Sequence, residues 1–157
     1  MKLDDIDLNV LAQLHLNGRL TNRELAERSG IAASTCLERV RRLQQSGVIR
    51  GYHADISYSA LGLGLEALVS VRLNLHSYDL IQAFRDKILK RNEVDRIYHI
   101  GGNNDFMIHV AVCDAAKLKD FIFGCLTADE GVAHVETALV FEWESGRGLP
   151  LSCDSDT

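Results

Sequence analysis

The apolar residues change their spacing part-way along the chain, and this change constrains the fold more than any other feature. Within residues 1–50 they recur every three or four positions, which is the spacing of one face of an α-helix. From residue 65 they alternate with polar residues in several segments, as in a β-strand that is covered on one side. We therefore expect a helical amino-terminal domain and a separate α+β carboxy-terminal domain, which fits a chain of 157 residues.

Composition excludes several classes of protein. Apolar residues make up 46% of the chain and charged residues 25%, which is typical of a globular protein and excludes a disordered or fibrous one. No apolar run reaches the roughly 18 residues of a membrane span, and the acidic start does not resemble a secretion signal. The four cysteines are far apart and include no CxxC pair, so neither a zinc site nor a disulfide scaffold is predicted. We expect a soluble cytoplasmic protein with no membrane partner, metal or cofactor.

Three helices are predicted in the first fifty residues. The first runs from about Asp4 to Leu16, where Asn17-Gly18 forms a typical carboxy-terminal cap. Thr21 and Glu24 have the spacing of a capping box, which predicts a short second helix that closes at Gly30. The third helix follows almost at once, from about Ala33 to Gln45.

The third helix separates into an apolar stripe and a polar face. Cys36, Val40 and Leu43 fall on one stripe at 100° per residue, which predicts that they face the core. A polar helix face reached through a tight glycine-containing turn is typical of a helix-turn-helix that binds DNA. A three-helix bundle with an Arg-rich surface would show the same pattern. The candidate DNA-binding residues are Ser34, Thr35, Glu38, Arg39, Arg41 and Arg42.

Charge is unevenly distributed along the chain. Residues 1–50 have a net charge of +2 and residues 51–157 have −7, within a total of −5. A basic segment joined to an acidic one suggests that the first meets a polyanion and the second does not. A solvated Arg-rich face is the alternative, and Arg39, which lies nearest the apolar stripe, could equally form an internal ion pair.

A change to β-type sequence follows Gly47. Residues 48–56 alternate around a central glycine, which predicts a short hairpin or an extended arm beside the helices. The segment 57–64 contains Leu61-Gly62 and Gly64 and is the predicted linker. We expect a DNA-binding domain at 1–56, a linker at 57–64, a second domain at 65–144 and a mobile tail without motifs at 145–157.

The second domain is predicted to have the element order βαββαβ. Its first strand starts at Leu65, one helix follows Ser77, and Asp114 caps the other helix. The apolar residues expected to face inward from the two helices are Leu80, Ile81, Phe84 and Ile88, then Leu118, Phe121, Ile122 and Cys125. The remaining strands are predicted at Val94–Ile100, Phe106–Val112 and Val132–Trp143. This is the order of the ferredoxin-like fold, an antiparallel sheet with both helices on one face.

The other face of the predicted sheet also carries apolar residues. They are Leu68, Met107, Ala138 and Val140. A domain of about 80 residues has only a small core, so an uncovered apolar sheet face predicts contact with another subunit.

Catalysis finds little support in the sequence. No Ser/His/Asp set or metal cluster is visible, and Gly101-Gly102 lies between two strands, whereas a phosphate-binding glycine loop opens a helix. Among six scattered histidines, only His99 lies beside the glycine loop, and packing is the better explanation for it. We expect a protein that is not an enzyme.

Several motifs together resemble the Lrp/AsnC family of transcription regulators, also called feast/famine regulatory proteins. They follow one another in the family's order over about residues 3–143. The segments that carry the resemblance are Leu3-Asp4-Asp5-Ile6-Asp7 with Leu11, Asn17-Gly18-Arg19 with Asn22 to Ala26, Arg39-Val40 with Leu43, Gly47-Val48-Ile49 with Gly51-Tyr52, Leu61-Gly62, Gly102-x-x-Asp105, and Thr137.

The resemblance implies a winged-helix-like helix-turn-helix domain that binds double-stranded DNA, followed by a domain that oligomerises and senses small molecules, commonly amino acids. Dimers are implied to gather into tetramers or octamers. In the family the ligand lies near the loop that corresponds to residues 101–105, at a contact between dimers. The implied effector-binding residues are Tyr98, Gly101, Gly102, Asn104, Asp105 and Thr137. For Asp105, the alternative is a purely structural role in the turn.

Two departures from the family pattern affect these expectations. Ala32-Ala33 replace the usual serine at the start of the third helix, so Ser34 is predicted to cap the helix about one residue later. Asn103-Asn104 replace the usual acidic and aromatic pair, which leaves the ligand open. Two other functions stay open: a DNA-wrapping architectural protein without effector, and an amino-acid-binding module or enzyme with no role at DNA.

Overall fold

Two compact units make up the chain in the computed structural model, which describes residues 2–75, 77–146 and 148–150. Among these described residues, one unit contains those up to 55 together with those after 143, and the other contains those from 56 to 143. No helix among the described residues is long and apolar enough to cross a membrane. Much of the predicted mobile tail at 145–157 lies outside the described residues.

Three helices form the first unit: α1 at Asp5–Leu16, α2 at Asn22–Ser29 and α3 at Ala33–Gln45. The predicted capping box is confirmed, because the Thr21 hydroxyl accepts the Glu24 N–H at 3.2 Å and Glu24 Oε2 accepts the Thr21 N–H at 2.7 Å. Gly30 ends α2 with a φ of 66°, a left-handed conformation that favours glycine. The chain therefore reverses within a few residues and enters α3.

The core of this unit comes from all three helices. Its fully buried side chains are Val10, Leu25, Ala26, Cys36 and Leu43, and Val40 packs against them. The predicted apolar stripe of α3 is thus confirmed. Burial raises the pKa of the Cys36 thiol, which keeps this cysteine protonated and favours a packing role over a redox role.

The start of α3 differs from the prediction. The helix is flanked by Ala32, no side chain caps it, and the Cys36 N–H already bonds to the Ala32 carbonyl oxygen at 2.9 Å. Ser34 lies inside the first turn with its side chain exposed. The prediction that Ser34 caps the helix was therefore wrong, because the first helical hydrogen bond starts at Ala32.

No strand forms in residues 48–56, so of the two predicted alternatives, a hairpin or an extended arm, the hairpin was wrong. A tight hairpin needs a turn residue with positive φ, and Gly51 does not adopt one. Instead the segment continues the helical core: the Ile49 N–H bonds to the Leu43 carbonyl oxygen at 3.0 Å, and the Ile49 side chain packs against the buried residues.

The second unit is the predicted ferredoxin-like fold. Its strands are β1 (Leu65–Leu73), β2 (Val94–His99), β3 (Phe106–Val112) and β4 (Val132–Val140), in the antiparallel order β2-β3-β1-β4. The helices are α4 (Tyr78–Ile88) and α5 (Ala115–Phe121), and α5 continues as a π-helical segment at Ile122–Thr127. A short 3₁₀ turn at Ser59–Leu61 precedes β1.

The two faces of the sheet have different surroundings. On the helix side, Val69 pairs with Ile108 in a core that also contains Phe84 and Phe121. On the other side, here called the outer face, β1 and its neighbours place Leu68, His109 and Ala138 in one row. Direct partners across antiparallel strands share a face, so the register alone assigns each residue to one side.

Two details of this unit differ from the structure predicted from the sequence. Leu80 does not face inward: its side chain is 44% exposed, at the rim of a cavity beside the end of the sheet. The last strand ends at Val140 and does not reach Trp143. Val140 pairs with Glu66, one residue from the start of β1 at Leu65.

Candidate DNA-binding helix and effector site

The outward face of α3 carries four of the six candidate DNA-binding residues. The side chains of Ser34, Thr35, Glu38 and Arg41 are all exposed. Within the part of the chain that the structure describes, these four side chains form no hydrogen bond or ion pair. Ser34, Thr35 and Glu38 occupy the first two turns of the helix, and Arg41 extends the same face by a further turn.

Arg39 has a different environment. Its Nη1 donates to both carboxylate oxygens of Asp4 and to Oδ1 of Asp7, each at 2.8 Å, and its side chain is only 19% exposed. These hydrogen bonds, to Asp4 first and then to Asp7, raise the pKa of the guanidinium. Arg39 therefore joins α3 to the start of α1, which is the internal ion pair that the sequence left open.

Arg42 shares the same anchor but remains partly open to solvent. Its Nη2 donates to Oδ1 and Oδ2 of Asp7 at 2.8 and 2.6 Å, and its side chain is half exposed. Asp7 itself is 1% exposed, so one buried carboxylate is shared by two arginines of α3. A buried carboxylate without such partners would be strongly destabilising, so this arrangement fixes how α3 lies on α1.

The start of α1 belongs to this arrangement as well. Asp4 and Asp7 form a capping box, in which the Asp7 N–H donates to Asp4 Oδ1 at 2.8 Å. That backbone N–H first, and the hydrogen bond from Arg39 next, hold the pKa of the Asp4 carboxyl below its ordinary value. The same two acidic residues thus cap one helix and anchor another.

The loop between β2 and β3 is held by Asp105. The Asp105 N–H donates to the Val71 carbonyl oxygen and its own carbonyl oxygen accepts the Ile100 N–H, both at 2.9 Å. Its buried carboxylate accepts the Leu73 N–H at 2.7 Å. Asp105 thus ties the loop to the end of β1. Gly102, with a φ of 123°, supplies a backbone conformation that side chains disfavour.

The structure brings together some of the candidate effector residues and separates others. Gly101, Gly102, Asn104 and Asp105 lie in the one loop. Tyr98 pairs with Met107 and Thr137 pairs with Val69, so Tyr98 lies on the outer face and Thr137 on the helix side. They also lie on the two edge strands of the sheet. Within one chain these two side chains cannot contact the same small ligand.

A cavity of about 340 Å³ lies beside the same end of the sheet. Its apolar wall includes Leu73, Leu80 and Phe84, and its polar part includes Lys87 and Asp129. Lys87 Nζ lies 2.6 Å from Asp129 Oδ2, and this contact comes first among the causes that lower the pKa of the Asp129 carboxyl.

This cavity was not predicted from the sequence. A signal was present, since Leu80 and Lys87 are seven residues apart and therefore lie on one side of α4. The cavity and the loop are linked through Leu73, which lines the one and donates its N–H to Asp105 of the other.

Comparison with known proteins covers both units. Residues 3–50 match the winged helix-turn-helix DNA-binding domain family. Residues 66–145, half of the chain, match the Lrp/AsnC ligand-binding domain. This chain belongs to the Lrp/AsnC family of transcription regulators. The expected family, the helix-turn-helix domain and the α+β ligand-binding domain are thereby confirmed.

Individual relatives match over nearly their whole length. The HTH-type transcriptional regulator AldR of Mycolicibacterium smegmatis is 46% identical over 140 residues, which cover 89% of this chain and 82% of AldR. The leucine-responsive regulatory protein of Rhizobium meliloti is 41% identical, covering 88% and 89%. A transcriptional regulator of Neisseria meningitidis, solved in complex with L-Met, has a TM-score of 0.85 at 30% identity, covering 95% and 97%.

The position of Asp4 predicts a pH dependence. Because its folded-state pKa is lowered, its stabilising contribution is complete above its ordinary pKa of 3.8 and is lost as the pH falls through the folded value. Asp4→Asn is expected to lower stability at pH 7 and to lie closer to the wild type at about pH 2 to 3. Urea unfolding at several pH values measures this, and a difference that stays constant with pH would contradict it.

Asp105→Ala is expected to destabilise the protein by about 1 to 3 kcal/mol, because the buried Leu73 N–H loses its acceptor. Asp105→Asn keeps an oxygen in place and should recover part of the loss. Asn103→Ala, an exposed neighbour in the same loop, should change stability by less than about 0.5 kcal/mol. Equal effects of Asp105→Ala and Asn103→Ala in urea unfolding would show that the Leu73 contact is not stabilising.

Proposed function

We propose that this regulator binds double-stranded DNA through the outward face of α3 and responds to an amino acid with an apolar side chain. The observation that carries the proposal is the division of α3: Arg39 and Arg42 anchor the helix on Asp7, while a separate polar face remains free. A helix that is held rigidly on one side and polar on the other can enter the major groove without rearrangement. No catalytic role is proposed.

The residues of α3 then have different roles. Ser34, Thr35 and Glu38 lie near the amino end of the helix, where side chains of a helix-turn-helix reach base edges. Arg41 forms no ion pair with any residue that the structure describes, so it is the main candidate for a phosphate or guanine contact. Arg42 would contact DNA while it remains ion-paired with Asp7, which leaves less of its positive charge available. We assign Arg39 to positioning the helix.

The effector site is proposed at the end of the sheet where the 101–105 loop and the cavity share Leu73. An apolar wall beside one ammonium group and one carboxylate is complementary to an amino acid zwitterion with an apolar side chain. Lys87 would meet its carboxylate and Asp129 its ammonium group, while Asp105 holds the wall in place. The names of the leucine-responsive relative and of the L-Met complex support this ligand class.

We also propose that the chain acts as a homo-oligomer, with a dimer as the smallest unit. The outer face of the sheet carries Leu68, Met107 and Val140, which are partly exposed in the single chain. Two copies would present two α3 helices to DNA sites with two-fold symmetry. Tyr98 and Thr137, which are apart in one chain, would join an effector site only where copies meet.

Arg41→Ala is expected to weaken DNA binding by about tenfold, equivalent to about 1.4 kcal/mol, and to lower the slope of log K against log salt by about one. Arg42→Ala should have a smaller effect on DNA binding, because the Asp7 carboxylate already neutralises part of the positive charge of Arg42. Arg85→Ala on α4 removes the same charge from the other unit and is the matched control. Unchanged affinity and slope in an Arg41→Ala/Arg42→Ala double variant, measured by gel shift, would refute DNA contact through this face.

A thermal-shift screen of the twenty amino acids tests the effector site. At least one amino acid with an apolar side chain is expected to raise the melting temperature of the wild type, and Lys87→Met or Asp129→Asn should abolish the shift. Lys90→Met, which removes an exposed charge just after α4, should keep it. A shift that persists in Lys87→Met would place the site elsewhere, and the absence of any shift would favour an architectural protein without effector.

A further inference from the structure

A polar network crosses three strands on the outer face of the sheet. His109 of β3 lies between two carboxylates: its Nδ1 is 3.0 Å from Asp95 Oδ2 of β2, and its Nε2 is 2.9 Å from Glu66 Oε2 of β1. The His109 side chain is only 13% exposed, so its ring is largely buried. A doubly protonated ring donates to both carboxylates, whereas a neutral ring leaves one nitrogen lone pair facing an oxygen.

A β-bulge supplies one of the carboxylates. The pairing of β2 with β3 shifts between Val94, opposite Val110, and Arg96, opposite His109, so Asp95 is an extra residue in β2. The shift places the Asp95 carboxylate beside His109 and also 3.2 Å from Nε of Arg96. Bulges of this kind often redirect a side chain for a purpose, and here the strand gives up a regular pairing to form the network.

Tyr58, from the segment that precedes β1, completes the network. Its ring meets the His109 ring edge-on with centroids 6.2 Å apart. Burial first, and then Asp95, raise the pKa of Tyr58 to about 12, so the hydroxyl keeps the proton that it donates. Burial acts to raise the pKa of the Asp95 carboxyl, but hydrogen bonds from Tyr58 and His109 outweigh it and hold that pKa below its ordinary value.

This network is not arranged to hold a metal ion. The two carboxylates lie against opposite nitrogens of one imidazole ring, so the donors do not converge on a point. Among the described residues no group of three or more metal-ligating side chains has a suitable arrangement. The charged groups that face His109 are Glu66, Asp95 and Arg96, and with a protonated ring they sum to zero.

The position of the network along the chain suggests what it does. Asp95 and His109 lie on β2 and β3, the two strands that the 101–105 loop joins. Asp95 is six residues before the loop and His109 is four residues after it, which corresponds to roughly 20 and 13 Å at the spacing of residues in a strand. Tyr58 lies three residues after Asp55, where the first unit ends, and its carbonyl oxygen accepts the N–H groups of Leu61 and Leu63 in the turn before β1. The β2–β3 hairpin thus carries the loop at one end and holds this segment near the other.

We propose that the Tyr58–Asp95–His109–Glu66 network couples the 101–105 loop to the segment that leads from the DNA-binding unit. The inference rests on the effector site proposed above. A ligand in the cavity acts on the loop through Leu73 and Asp105. If it favours one position of the β2–β3 hairpin, it also favours one position of Asp95 and His109 relative to Glu66, and so biases whether Tyr58 is held. These four are positioning residues, since none of them touches the proposed ligand or DNA.

Tyr58→Phe removes only the hydroxyl and is the decisive variant. With L-leucine, L-methionine and any other amino acid that is active in the thermal-shift screen, we expect the wild-type effector affinity but less than half of the wild-type fold-change in DNA affinity. Tyr78→Phe, an exposed tyrosine at the start of α4, should leave both quantities unchanged. In hydrogen exchange, the amides of Leu61 and Leu63 should lose protection in Tyr58→Phe only.

A second variant distinguishes coupling from a general structural effect. His109→Gln, whose amide cannot bridge the two carboxylates on opposite sides of the ring, should keep the wild-type effector affinity and lose more than half of the fold-change in DNA affinity. If Tyr58→Phe binds effector and keeps the full response, the coupling is wrong while the effector site stands. If no amino acid binds the wild type, both proposals fail together.

Discussion

The carboxylate of Asp7 is buried, and its need for positive partners determines how the DNA-binding unit is built. Removing a carboxylate from water costs several kcal/mol unless charged hydrogen bonds compensate. Arg39 and Arg42 provide them from α3, while Asp4 shares Arg39 at the start of α1. The partners are directional, so α3 has one favourable rotation about its axis, and that rotation turns Arg41 and the residues near its amino end outward.

In the second unit, the buried carboxylate of Asp105 likewise determines the structure around it. Its carboxylate satisfies the end of β1 and thereby sets the shape of both the 101–105 loop and the cavity wall at Leu73. The same β2–β3 hairpin holds Tyr58 through Asp95 and His109. A signal that begins at the loop therefore has a short continuous element through which to act, and the coupling would have the size of the ligand's preference between two hairpin positions.

Sequence periodicity predicted the elements well, because burial on one face leaves a direct trace in the order of residues. The bounds of α3 and β3 followed from it. The functional sites were harder to predict from the sequence. The pairing of Arg39 with Asp4 spans 35 positions, and the bulge at Asp95 depends on a register shift that no local pattern encodes. The cavity was missed because Leu80 fits an amphipathic stripe whether it is covered or only lines an open wall.

The residues that anchor α3 to α1 are distinct from those proposed to contact DNA, and this has a consequence for how such regulators diversify. The side chains that fix the helix, Arg39 and Arg42, alternate with exposed positions that contribute nothing to the core. Under the proposed DNA contact, substitutions at Ser34, Thr35, Glu38 or Arg41 would therefore change operator preference with little effect on folding free energy. Gene duplication followed by drift at these four positions would yield paralogues that share one scaffold and recognise unrelated promoters.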